Sequence, residues 1–224
     1  MINIKHKKCI VVGGGKVAER KINSLVEAMA SIVVISPTVT NLIKHWQRDG
    51  KLQIYKQNYD KSVVGTPYLM IAATDQNHVN LQVYEDAKKQ NILVCIVDRP
   101  DLSDFIFPAS FRRGKLQIAV STSGASPTAA KTIKKDLEKK YGNEYEIYLD
   151  FLSEFRLFVK KTINDTHQRQ ALYKEIMDLD ILRFIRIGQF HSFQKELYKR
   201  LKDPDYKYKG NWINRYFEDK EKGV

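Results

Sequence analysis

Short apolar runs alternate with stretches of helical periodicity through the first hundred residues. The runs near 8–12, 32–36, 52–55, 68–73 and 92–97 predict strands, and the segments near 16–29, 39–49 and 78–90 predict helices. In the first of those helices Val17, Ala18, Ile22, Leu25, Val26 and Met29 recur at the spacing that places them on one side. Strands that alternate with helices make βαβ units, and right-handed crossovers join them into a doubly wound parallel α/β sheet. The stretch from Tyr59 to Pro67 reads as a loop or brief turn. After Asp98 the pattern changes. Phe105 to Pro108 (FIFP) and Leu116 to Ser121 (LQIAVS) read as short strands, with the basic turn Arg112-Arg113-Gly114-Lys115 between them. A polar turn, Ser121 to Pro127, leads into a helix near 128–141, for which Ser126 is an N-cap and Pro127 the first helical residue. From Glu144 onward only helical spacing remains, as in Ile147, Phe151, Phe155 and Phe158, and the aromatic residues Trp212, Tyr216 and Phe217 read as packing. These changes of pattern divide the chain into residues 1–111, 112–143 and an all-helical 144–224.

The first strand closes into three glycines. Gly13, Gly15 and Ala18 fit the G-x-G-x-x-G/A fingerprint of a dinucleotide-binding strand-turn-helix, in a turn that also holds Gly14, Lys16 and Val17. The first glycine permits the turn, the second lets backbone approach a pyrophosphate, and the small third residue lets helix pack on strand. Phosphate then meets free N–H groups at the positive end of a helix dipole. The alternative is a glycine-rich turn that binds nothing. The second strand ends Ser36-Pro37-Thr38, so a hydroxyl stands where an acidic residue commonly holds the ribose of NAD. No arginine follows to clamp the extra phosphate of NADP, and this leans the site toward NAD. Ala73 and Thr74 end the fourth strand, where small residues admit a ring or ribose. Asp75 beside them shapes the pocket or caps the next helix.

Asp98 terminates the fifth strand, and therefore projects from the edge that holds the glycine turn. A carboxylate leaving an apolar strand is partly desolvated and placed for proton transfer; its bland alternative is a cap or a pair with Arg99. The turn Ser121, Thr122, Ser123, Gly124 and Ser126, flanked by Arg112, Arg113, Lys115 and Lys131, is either an anion site for carboxylates or an ordinary loop.

The chain has 224 residues and a formal net charge of +12, with 14 Lys/Arg against 10 Asp/Glu up to residue 111 and 24 against 16 beyond it. Such an excess suits nucleic acid, an acidic membrane surface or a polyanionic small molecule, or it is simply a lysine-rich solvated surface. No recognition motif for nucleic acid accompanies it, and no apolar run reaches the ~18 residues of a membrane span. Cys9 and Cys95 lie in apolar strands as small hydrophobes, which agrees with a reducing, cytoplasmic setting. The five histidines show no ligand spacing, so no permanent metal site is expected.

Four motifs, VVGGGKVAERK (Val11 to Lys21), AATD (Ala72 to Asp75), VDRPDLSDFIFPA (Val97 to Ala109) and STSGASP (Ser121 to Pro127), closely resemble the siroheme-synthesis family of precorrin-2 dehydrogenases, some of which are also sirohydrochlorin ferrochelatases. The resemblance spans about residues 5–140 in order and spacing. It implies a Rossmann-like domain, NAD-dependent oxidation of precorrin-2 to sirohydrochlorin, and a homodimer formed through the region after the nucleotide-binding domain. It implies NAD contacts at Gly13 to Val17 and Ser36 to Thr38, and an essential carboxylate at Asp98. Thr122 stands where some relatives have a phosphorylatable serine, and the methyltransferase domain of larger relatives is absent. A polycarboxylate tetrapyrrole fits the basic composition. Iron insertion by the same chain, a non-catalytic NAD sensor and a nucleic-acid binder are the competing functional readings.

Overall fold

The computed structural model describes residues 2–63, 65–189, 192–193 and 195–197; Trp212, Tyr216, Phe217 and His191 lie outside them. Two compact units divide the chain, with the boundary between Phe107 and Pro108. In the first, β1 (Lys8–Val12), β2 (Ser31–Ile35), β3 (Leu52–Tyr55), β4 (Leu69–Ala72) and β5 (Leu93–Ile96) form a parallel sheet in the order β3-β2-β1-β4-β5. Ile10 of the central strand stands opposite Val33 on one side and Met70 on the other. Successive residues face opposite ways, so Val11, Val34 and Ile71 pack with α1 (Lys16–Glu27) and α2 (Asn41–Arg48), whereas Ile10, Val12 and Met70 pack with α3 (Asn77–Lys89). Helices on both faces explain why the strands read as unbroken apolar runs. The switch in strand order falls between β1 and β4, and ligands of such sheets bind outside the carboxyl ends there. The Tyr59–Pro67 link contains one short 3-10 turn, Lys61–Val63.

FIFP is not a strand. The segment that carries it runs along the open edge of β5 and satisfies that edge with side chains. Val94 N–H donates to the Asp104 carboxylate at 3.0 Å and Ile96 N–H to Ser103 Oγ at 2.9 Å. With those donors taken, no ladder can form, and Pro108 has no N–H to offer one. Phe105 and Phe107 instead pack against the α1 side of the sheet, their rings 5.7 Å apart. Their alternation imitates a strand's period, but it arises from burial under a loop. The covered edge is also closed to pairing with another chain.

The second unit opens with an antiparallel hairpin, β6 (Ala109–Arg113) and β7 (Leu116–Val120), in which Arg112 pairs with Gln117. The expected turn is thus shorter than the sequence suggested: Arg112 and Arg113 belong to the strand, and Gly114, at φ +51°, turns the chain with Lys115. Two-residue hairpin turns require that positive φ. α4 (Pro127–Lys140) begins as expected, with Ala129 N–H donating to Ser126 Oγ at 3.1 Å and Pro127 at its first position. α5 (Glu144–Thr162), α6 (Thr166–Met177) and α7 (Ile181–Arg186) follow, and Phe151, Phe155 and Val159 bury themselves against Ile176, Ile181 and Ile185. Asp165 and Asp180 cap α6 and α7 by accepting from Gln168 N–H and Arg183 N–H. Among the described residues no helix is long and apolar enough to cross a membrane.

Candidate functional site

A cleft of about 860 Å³ opens at the carboxyl ends of the strands in the first unit. Its floor is the glycine turn. Gly13 sits at φ +116°, and a Cβ there would lie 2.3 Å from the Ala73 carbonyl oxygen; one on Gly14 would lie 2.1 Å from that of Thr38. Both positions are therefore closed to any side chain. Gly15 differs: nothing lies within 4 Å of where its Cβ would stand, although the residue lines the cleft. It is also the N-cap of α1, in extended backbone that makes no demand for glycine, and makes no side-chain cap. The open space beside it, next to uncapped helix-start N–H groups, is a cradle that a phosphate fits. Ala18, fully buried, brings α1 close to the strands.

The remaining cofactor residues of the sequence reading come together around this floor. Lys16, Val17, Ser36, Pro37, Thr38, Ala73 and Thr74 all line the cleft. Ser36 is buried and its hydroxyl donates to the Thr38 carbonyl at 2.7 Å, which leaves its lone pairs to accept from a ribose hydroxyl. Thr40 N–H donates to the Gly14 carbonyl at 3.0 Å and ties the two turns together. The ammonium of Lys16 is exposed and pairs with Glu19 at 3.0 Å. No arginine stands among the lining residues.

Two supports escaped the sequence reading. Asn80, buried in α3, accepts from Thr74 N–H at 3.2 Å and Thr74 Oγ at 2.7 Å and donates to the Thr74 carbonyl at 3.1 Å. An asparagine inside a helical pattern, where that residue is disfavoured, was the available signal. Tyr59, also in the lining, donates its hydroxyl to buried Asp86 at 3.2 Å, and burial with the neighbouring carboxylate drives its pKa far upward. Asp75 lines the cleft but does not cap α3, whose N-cap is Gln76.

Asp98 lines the same cleft two residues beyond β5, but it is exposed: the partial desolvation expected of a carboxylate leaving an apolar strand is not found, because the turn carries it clear of the sheet. Its φ is +64°, in a turn closed by Arg99 N–H donating to the Ile96 carbonyl at 3.2 Å. Aspartate tolerates the left-handed region better than most residues but still at a cost, and such strain gathers at functional positions. Arg99 does not pair with it; its guanidinium binds Asp101 at 2.8 Å.

The second unit holds the remaining candidates. Adjacent strand residues point to opposite faces, so Arg112 and Arg113 diverge. Arg112 is exposed and donates to Gln117 at 3.1 Å; Arg113 lies over the Phe111 ring at 5.6 Å, with its Nε buried and unpaired. In the hydroxyl turn Ser121, Thr122 and Ser126 spend their side chains locally, Thr122 Oγ donating to the Ser126 carbonyl at 3.0 Å and Ser121 Oγ accepting from Ser123 N–H at 3.2 Å. Ser123 and Gly124 carry positive φ and are exposed. Lys115 pairs with Asp150 at 3.1 Å. Among the described residues no cluster of three metal-binding side chains occurs.

A parallel sheet with its glycine turn at the strand-order switch and a carboxylate across the cleft defines a Rossmann-like dinucleotide-binding protein. Residues 1–109 match a family model described as NAD(P)-binding, and residues 113–140 one described as sirohaem biosynthesis protein central. Precorrin-2 dehydrogenase from Priestia megaterium is 32% identical over 200 residues, covering 89% of this chain and 98% of its own length. Siroheme synthase from Nitrosococcus oceani is 34% identical over 188 residues, 84% of this chain but 40% of that protein. The chain thus spans about two-fifths of such siroheme synthases. A solved structure of SirC, a precorrin-2 dehydrogenase, superposes with a TM-score of 0.74 at 31% identity, covering 89% of this chain and 98% of that one. The chain belongs to the precorrin-2 dehydrogenase family.

Proposed function

We propose that this protein oxidises precorrin-2 to sirohydrochlorin with NAD. The carrying observation is that one cleft is lined both by the glycine turn, with its open cradle at Gly15, and by Asp98 in a strained turn across from it. The oxidation removes a hydride and a proton from the macrocycle, and bound NAD supplies the hydride acceptor. The helix-start N–H groups of α1 bind the pyrophosphate, and Ser36 accepts from a ribose hydroxyl. Asn80 holds the Thr74 wall. Asp98 takes the proton, its carboxylate acting as base. Carboxylates of the substrate find donors in the exposed side chains of Arg112 and Ser123, while Thr122 and Ser126 shape the turn.

The protein acts in the cytoplasm as a homodimer. What supports self-association is the thin cover on the start of the second unit: its hairpin buries only Phe111, α4 only Ala130, and Ile133 is left exposed. A two-stranded hairpin is marginal without further packing.

The test is an anaerobic assay with precorrin-2 and NAD that follows NADH absorbance and the product spectrum, with addition of ferrous ion to the product as the separate arm for chelation. Asp98→Asn is the informative variant, because asparagine tolerates φ near +60° and removes only the base. Turnover lost with NAD affinity kept supports the proposal. Full activity removes Asp98 from the mechanism.

A further inference from the structure

The apolar stripe of α3 carries an acid. Val79, Val83 and Asp86 recur at the i, i+4, i+7 spacing of one helix side, and Asp86 is buried, accepting from the Tyr59 hydroxyl at 3.2 Å. An aliphatic residue there, against a phenylalanine at 59, would fill the same space without desolvating a carboxylate or a hydroxyl. Replacing both partners of such a bond by apolar groups of like shape leaves stability nearly unchanged, so the bond does more than fill the core. What it fixes is position. It joins α3 to the link after β3, and Tyr59 lines the cleft while packing, as Val79 does, against Ile10, Val12 and Met70. The hydroxyl remains a donor at any assay pH, because burial and the adjacent carboxylate hold its pKa far above the ordinary phenol value.

The strand order identifies this part of the cleft. In the row β3-β2-β1-β4-β5 the glycine turn follows β1 in the middle, and Asp98 follows β5 at one end. With pyrophosphate at the glycine turn and the nicotinamide toward Asp98, the adenosine half of NAD has the β2 and β3 side left to it. Ser36 stands there, and its N–H donates at 3.1 Å to the carbonyl of Tyr55, the last residue of β3. The link then turns at Asp60, whose carboxylate accepts from Ser62 N–H at 2.8 Å. Asn58 and Tyr59 of this link line the cleft together with Val79 and Gln82 of α3. Tyr59 and Val79 supply apolar surface for the face of a flat ring. The carboxamides of Asn58 and Gln82 match an edge that carries a donor beside an acceptor, as adenine's does.

We propose that the adenine of NAD lies against Tyr59 and that Asp86 is a positioning residue, holding the Tyr59 ring in place through their buried hydrogen bond. This rests on the reading of the cleft as an NAD site. Asp86 itself does not line the cleft, so its effect on the cofactor passes through Tyr59. A ring held in its binding orientation does not have to be ordered when the base arrives, and this lowers the cost of binding at the adenine end.

The experiment is the double variant Tyr59→Phe with Asp86→Leu, measured by thermal unfolding, by titration calorimetry with NAD and with adenosine 5′-monophosphate, and by kcat at saturating NAD. The variant keeps an aromatic ring at 59 and leaves no buried polar group unpaired, so the unfolding temperature should stay near that of wild type. Affinity for NAD and for the monophosphate should fall together, about threefold to tenfold, with kcat unchanged. Affinities that return to wild type along with stability overturn the proposal, as does a loss of kcat with both affinities kept. If the double variant does not fold, Tyr59→Phe alone is judged by the same split between affinity and kcat. Wild-type protein separates the two ideas. Failure to bind NAD defeats the cofactor site and this inference with it, whereas NAD binding that the monophosphate does not compete for defeats only the adenine assignment.

Discussion

Gly15→Ala isolates the ligand's demand for a glycine from the fold's. Gly15 adopts φ −81°, ψ −173°, which alanine accepts, and no atom lies within 4 Å of the added methyl. At an N-cap, alanine is worse than glycine by roughly 0.5–1 kcal/mol. Against this, restricting the unfolded chain stabilises by about 0.4–1 kcal/mol. The two nearly cancel, so calorimetry should find the unfolding temperature within about 3 °C of wild type. Binding should not survive so well. A methyl in the cradle displaces phosphate from at least one charge-assisted N–H contact, worth about 1.5–3 kcal/mol, and NAD affinity measured by titration calorimetry should fall about tenfold to a hundredfold. Gly14→Ala is the contrast: its methyl would meet the Thr38 carbonyl at 2.1 Å, so the backbone must shift, at about 3 kcal/mol of stability. Gly15→Ala with wild-type NAD affinity and wild-type stability would refute the placement of pyrophosphate at this turn.

Asn80→Ala leaves Thr74 N–H without its partner inside the protein; a loss of about 1–3 kcal/mol in urea unfolding and a raised KM for NAD are expected, and an unchanged KM would confine Asn80 to stability. The carboxylate of Asp104 is held below its ordinary pKa, first by its bond to Lys88 and further by Val94 N–H. Its stabilisation is therefore full above the unfolded carboxylate pKa of about 4 and is lost as pH falls through the lower folded value, so Asp104→Asn should flatten the acid side of the stability profile measured by circular dichroism. Burial raises the Cys9 thiol to about 11 and shifts Cys95 upward too, so both should ignore a thiol-specific dye at pH 8 until denaturant is added; rapid labelling of the native protein would contradict their burial.

Where one local signal decided the structure, the sequence was readable. Unbroken apolar runs at Ile10–Val12 and Leu69–Ala72 leave little choice but strands covered on both faces, and Ser126-Pro127 starts a helix by chemistry confined to four residues. The glycine fingerprint was legible for the same reason, because Gly13 and Ala18 are required by contacts that every such turn makes. Reading failed where a distant segment set the outcome. Phe105 and Phe107 alternate as a strand would, yet the donors they needed on β5 were claimed by Ser103 and Asp104, which no periodicity reveals. Gly14 falls at a free position of the fingerprint, and only the approach of the Ser36–Thr38 turn closes it.

Asp98 joins the two cases. Its place at the end of an apolar strand was visible in the sequence; its left-handed backbone was not, because aspartate gives no signal there as glycine would. That choice of residue is itself an argument. A turn at φ +64° is met at lower cost by glycine, and although His6, Met29 and Asn91 also keep side chains at positive φ, only Asp98 of these lines the cleft, which accords with its proposed role as the base. Asp98→Gly should then relieve strain and leave the protein as stable as wild type or up to about 1 kcal/mol more so, while turnover disappears. A variant that is both less stable and still active would show that the aspartate serves the turn and not the reaction.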